Sequence, residues 1–186
     1  MKFQMYVDVI VRDKNGKVIQ RIRKRKCSSY VRAIIDWIRS NFSAASTGFV
    51  DTGGTSRTSG ASATIFSANS GAAITTYGIR VGTGTNAVAI SDYALQTPIA
   101  EGIGAGQLSH GATSVGSAST VDTSRQFTVA RTFTNNSGAS ITVNEVGLIC
   151  QELLNAWNFL FERSLLTFSI ANGASATVTY TLSVSV

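Results

Sequence analysis

Proline is almost absent from this chain: Pro98 is the only one in 186 residues. Charge is scarce too, at 14% Asp, Glu, Lys and Arg against about 25% in an average soluble protein. Histidine occurs once, at His110, and cysteine twice, at Cys27 and Cys150. Each scarcity removes a class of protein. One histidine and two distant cysteines provide no Cys-x-x-Cys or paired-histidine spacing, and the ten acids are scattered, so no metal site is expected. The two cysteines could form one bridge, but nothing in their spacing demands it, and two buried free thiols are the favoured reading. No run approaches the roughly 18 apolar residues that a membrane helix needs. The opening MKFQMYVDVIVRDKNG alternates with period two and lacks the unbroken apolar stretch of a signal peptide, so the expectation is a protein made in a cytoplasm, without export or a membrane anchor.

What fills the space is Gly, Ser, Thr and Ala, while apolar residues still reach 44%. Disordered chains combine low hydrophobicity with high net charge, and this one does the reverse. The length suits one domain with a real core. A surface so poor in charge tends to be covered by something, because free monomers normally carry charge for solubility. The charge that exists is uneven. Residues 1–40 hold eleven of the sixteen Lys and Arg against three acids, a net of +8, and the remainder carries five bases and seven acids, a net of −2. A basic head therefore precedes a near-neutral body.

Periodicity predicts a mainly β protein. Residues 3–11 alternate, Asn15-Gly16 supplies a hairpin turn, and residues 17–25 run on as a second strand. Ser28-Ser29 offers a helix cap before YVRAIIDWIRSNF, in which Val31, Ile34, Ile35 and Ile38 form an apolar stripe, so an amphipathic helix of about 12 to 14 residues is predicted there. Residues 43–73 are rich in Gly, Ser, Thr and Ala. So long a segment is uncommon unless functional or clamped, and it is read as an extended arm pinned on its own domain or on a neighbouring subunit through Phe49, Val50, Ile65 and Phe66. Six further strands are predicted at 74–81, 105–113, 125–135, 140–150, 158–168 and 175–186, with turns such as Asn135-Asn136-Ser137-Gly138 between most of them. The expected architecture is an antiparallel β-sandwich, jelly-roll or immunoglobulin-like, over 74–186. The hairpin and helix of 1–42 would pack on it.

Candidate chemistry is sparse. His110 would need a carboxylate such as Asp92 or Asp122 and a nucleophile elbow to act as a catalytic base; no Gly-x-Ser-x-Gly occurs, and a hydrogen-bonded structural histidine is expected. Gly82-Thr83-Gly84 and Gly102-Ile103-Gly104-Ala105-Gly106 resemble phosphate loops only superficially, since no Gly-Lys-Ser/Thr follows; they are read as turn or bulge glycines. Glu101, Glu145, Glu152 and Glu162 are the carboxylates that a glycosidase would need in facing pairs. The one pronounced charge feature is the run Arg21, Arg23, Lys24, Arg25 and Lys26. It fits a protein interface, nucleic-acid phosphates or an edge strand protected from aggregation.

The blocks YGIRVGTGTNAVAISDYALQTPIAEG, VDTSRQFTVARTFTNNSGASITVNEVGLIC and FLFERSLLTFSIANGASATVTYTLSVSV resemble small β-sandwich virion structural proteins of tailed phages and related viruses, as does the hairpin followed by Ser28-Ser29-Tyr30-Val31-Arg32. The resemblance covers most of the chain outside 43–73. It implies a non-enzymatic, cofactor-free, multi-copy component of a capsid, neck or tail, whose partners are copies of itself and other virion proteins. Two alternatives stand beside it: a nucleic-acid-binding module using the basic head, and a carbohydrate- or receptor-binding virion protein. The latter would need clustered exposed aromatics, and Trp37 and Trp157 are the only tryptophans.

Overall fold

A computed structural model describes residues 2–27, 31, 33–34, 36, 38, 47–59 and 66–185. The described residues form antiparallel β-sheets. β1 (Lys2–Arg12) and β2 (Val18–Lys26) make the N-terminal hairpin, and β3 (Thr47–Val50) and β4 (Ser56–Ser59) make a smaller one. β5 (Phe66–Ser67) and β6 (Gly78–Gly82) follow, then β7 (Ser109–Val115), β8 (Ser119–Val121) and β9 (Ser124–Thr134). Three long strands close the chain: β10 (Ile141–Glu152), β11 (Asn158–Ile170) and β12 (Ser175–Ser185).

The first turn shows how local chemistry sets the register. Gly16 takes the left-handed conformation, at φ 80°, that a glycine adopts without strain. The Asp13 carboxylate accepts the amides of Asn15 and Lys17, both at 2.9 Å, so the Asn-Gly signal is reinforced by an aspartate at its mouth. The larger sheet runs β2-β1-β12-β9-β7, with β8 also paired to β9. Its centre is regular: Lys2 to Arg12 pair with Ser185 to Ser175 without a shift, and β12 pairs with β9 over its whole length. In the second sheet β10 lies between β11 on one side and β5 and β6 on the other.

One apolar cluster joins the two sheets. Alternation delivers Met5, Val7, Val9 and Val11 from β1, all fully buried, and Ala176, Val178 and Tyr180 from β12. Phe133, Val143, Leu148, Phe168 and Ile170 join the same core. Alternation breaks down in the second sheet, where residues 145–150 of β10 and 159–164 of β11 are all buried. Both faces are covered there: a methyl at Gly147 would lie 2.9 Å from the Leu95 side chain, which belongs to the loop after β6.

The six strands expected after residue 73 correspond to β6, β7, β9, β10, β11 and β12, displaced by at most a few residues. The segment 43–73, expected as an extended arm, contributes β3, β4 and β5. The predicted helix falls mostly outside the described residues and is not established. Of its stripe, Val31 and Ile34 are buried and Ile38 packs on the core, while Ile35 lies outside the described residues. Cys27 and Cys150 are both free and buried.

Candidate functional site

The glycine-punctuated segment after residue 77 closes over a carboxylate. Glu145, from the middle of β10, is fully buried. Its Oε1 accepts the amides of Thr97 at 2.7 Å and Gly84 at 3.2 Å, and its Oε2 accepts the amide of Gln96 at 3.1 Å. Arg163, from β11, adds its Nε to the same Oε2 at 2.7 Å. The Arg163 guanidinium also donates to Asp92 at 3.0 Å and to the Asn86 carbonyl at 3.2 Å, so one arginine fastens both halves of the loop. A hollow of about 420 Å³, lined by Asn86, Asp92, Tyr93, Gln96 and Arg163 among others, opens above.

This corrects one sequence expectation. Gly82 and Gly84 lack the positive φ of turn glycines, which Gly78, Gly102 and Gly106 do have. They are required by close approach: a methyl at Gly82 would sit 2.4 Å from Glu145 Oε1 and 2.6 Å from the Thr97 carbonyl, and one at Gly84 would sit 2.6 Å from Glu145 Oε1. The loop does cradle an anion, as a phosphate loop would, but the anion is the protein's own Glu145.

A second buried group lies between β6, β7 and β9. Arg131 is 1% exposed, and it donates to the carbonyls of Gly111 at 2.8 Å, Ile79 at 3.0 Å and Ile74 at 2.7 Å. Burial lowers its pKa. Arg80 donates to the Ile99 carbonyl at 3.0 Å, while its Nε has no partner. His110 packs edge-on against Phe133, with ring centroids 5.1 Å apart. Its amide donates to Glu101 Oε2 at 2.7 Å, yet neither ring nitrogen has a partner, contrary to the expected hydrogen-bonded histidine. The nearest carboxylate oxygen, Glu101 Oε2, stands 3.7 Å from Nδ1, beyond hydrogen-bond range. Burial, aided by the positive Arg80 and Arg131, pushes His110 down to about 3, so the imidazole is neutral in the folded protein across the physiological range.

The other glutamates are equally engaged. Glu162 accepts the hydroxyls of Ser164 and Tyr180, and burial pushes its carboxyl up to about 7. Cys27, at the end of β2, is raised by the same burial and by the Glu162 charge. Glu152 accepts the amides of Leu154 at 2.9 Å and Asn155 at 2.8 Å, which closes the β10–β11 turn. Three of the four glutamates considered as glycosidase carboxylates are thus fully buried structural acceptors, and Glu101 holds the β7 backbone. Among the described residues no group of three or more His, Cys, Asp or Glu is placed to hold a metal ion.

The arm residues turn inward. Phe49 is fully buried, its ring centroid 5.1 Å from that of Phe159 and 5.9 Å from that of Phe66. Phe66 packs also on Phe161, at 5.4 Å. These two phenylalanines therefore engage this subunit's own core; Val50 is half-buried, and Ile65 lies outside the described residues. Trp157 has the Arg57 guanidinium 5.2 Å from its ring centroid, and Arg57 is in turn paired with Asp51 at 2.7 Å. Trp37 lies outside the described residues. Arg21, Arg23, Lys24, Arg25 and Lys26 all lie on β2, the outermost strand of the larger sheet, and all are exposed.

Comparison with models of protein families, with curated proteins and with solved structures finds no match to this chain.

Proposed function

We propose that this chain is a structural, non-enzymatic subunit of a virus particle, a β-sandwich of jelly-roll or immunoglobulin-like kind that assembles in many copies on a head, neck or tail. The helix expected over its N-terminal region would pack on the sandwich. The likeness of its sequence blocks to virion proteins suggests the setting, and one structural observation carries the assembly part. On the face of the larger sheet turned away from the core, β12 and the central part of β9 present uncharged side chains. Thr177 and Thr181 of β12 stand directly opposite Thr132 and Thr128 of β9, and Thr179 lies between them. The Thr132 and Thr177 hydroxyls are 2.9 Å apart and hydrogen-bond each other. β12 carries no charged residue, and neither of its ladders contains a bulge. Interface centres are depleted of charge, and sheets pack face to face about 10 Å apart.

Sedimentation measures this directly. The purified protein should form a defined oligomer at about 10 to 100 μM, and Thr181→Arg, which sets a charge in the middle of the face, should dissociate it without lowering the melting temperature. A wild-type protein that stays monomeric over that range would sink the assembly reading. Recovery of its peptides at high copy number from purified particles would support the virion setting, and their absence would remove it.

A further inference from the structure

The basic strand β2 has a geometry that sorts its candidate partners. The five side chains Arg21, Arg23, Lys24, Arg25 and Lys26 are exposed, and among the described residues none has an ion-pair or side-chain hydrogen-bond partner. Asp8, on the neighbouring strand, accepts the backbone amide of Lys24 at 2.9 Å instead of pairing with a cation. Lys24 has a positive φ of 44°, and the pairing of β1 with β2 shifts between Val7 and Val9, so a β-bulge sits inside the basic run. Before the bulge, half-buried and exposed residues alternate; from Arg23 to Lys26 every residue is exposed.

Three partners compete for this edge. A second copy pairing β2 against β2 would set five cations against five, which like-charge repulsion forbids. An acidic extended peptide could add as a further strand, but strand addition needs an unbroken ladder. The bulge at Arg23 and Lys24 interrupts the ladder, leaving Arg21 paired on one side of it and only Arg25 and Lys26 paired beyond it. A phosphodiester backbone needs no register. Consecutive β residues advance by roughly 3.3 Å, and each strand of B-DNA presents one charge per roughly 3.4 Å of axis. Five cations within six residues therefore match the linear charge density of a nucleic-acid strand. The run contains no aromatic residue, so base stacking plays no part and the contact is independent of sequence.

We propose that β2 is a nucleic-acid contact, in which Arg21, Arg23, Lys24, Arg25 and Lys26 neutralise successive phosphates along one sheet edge. This inference does not depend on the assembly reading, since a monomer that binds DNA would keep the one and remove the other. The test is fluorescence anisotropy of a labelled mixed-sequence 20-nucleotide DNA, single-stranded and as duplex, across a potassium chloride series. Five phosphate contacts give a slope of log affinity against log salt of about −3.5 to −4.5, hence a loss of about 100- to 500-fold between 50 and 200 mM salt. Changing all five cations to Gln should weaken binding at least about 100-fold at 50 mM salt. Changing Lys14 and Lys17, two cations of the adjacent turn, should weaken it less than about 10-fold. A wild-type slope shallower than about −1.5 overturns the proposal and needs no variant to be folded. So does a five-fold variant that binds as wild type, or a poly-glutamate competitor that displaces the DNA at equal charge concentration, which would assign the strand to an acidic protein.

Discussion

Replacing His110 by phenylalanine should make the protein markedly more resistant to acid. The imidazole is 3% exposed, lies edge-on to Phe133 and leaves both ring nitrogens without partners, so a phenyl ring suits the same slot. In the folded protein the ring gains a proton only near pH 3, whereas an unfolded histidine gains it near 6.5. The sign follows from proton uptake. Below pH 6.5 the unfolded chain binds a proton that the folded protein refuses, so the stability this group contributes is complete above 6.5 and is lost progressively as the pH falls towards 3. At about 1.36 kcal/mol per pH unit, the loss amounts to about 2 kcal/mol at pH 5 and is negligible at pH 7. Phenylalanine carries no such term. Urea unfolding of both proteins at pH 7, 6 and 5 isolates it, because carboxylate titrations common to the two cancel in the difference. The advantage of His110→Phe should grow by about 2 kcal/mol from pH 7 to pH 5. An advantage that stays constant, or a His110 resonance that titrates near 6.5 by NMR, would refute the reasoning.

Two further outcomes follow from the buried groups. Glu162→Gln should act with the opposite sign: the folded carboxyl keeps its proton up to about pH 7 against an ordinary 4.5, so wild type loses about 3 kcal/mol as pH rises through that window. The variant, unfolded in urea at pH 4.5 and pH 8, should gain about that much relative to wild type at the higher pH. Gly82→Ala should cost about 2 to 3 kcal/mol by forcing Glu145 and Thr97 apart. Gly48→Ala, with nothing within 4 Å and no positive φ, should shift the melting temperature by no more than a degree or two.

The N-terminal hairpin and the long strands were legible because alternation and turn residues act locally, and each of these strands has one face on the core. The buried polar groups were hidden by the same rule. A charged residue in a strand reads as outward-facing, although Arg131 shares its parity with Val129 and Phe133, and that mismatch was a usable signal. Glu145 and Arg163 escaped because their face is covered by a loop, and loop coverage leaves no periodic trace. Gly82 and Gly84 could be recognised as special but not explained: a glycine kept clear for a neighbouring carboxylate reads the same as one kept for a turn. Phe49 and Phe66 were legible as anchors, but whether an anchor grips its own core or a neighbour's depends on tertiary contacts far along the chain.

The pairing of β1 with β12 sets an order of events in time. β1 is made well before β12, yet one side of it is completed only by β12, since Lys2 to Arg12 pair there with Ser185 to Ser175. Until those residues emerge, β1 has β2 on one side and an open edge on the other. The larger sheet therefore closes late, after a wait set by the rate of translation. During that wait the cations of β2, next to the open edge, provide the repulsion that keeps half-made chains from pairing with one another.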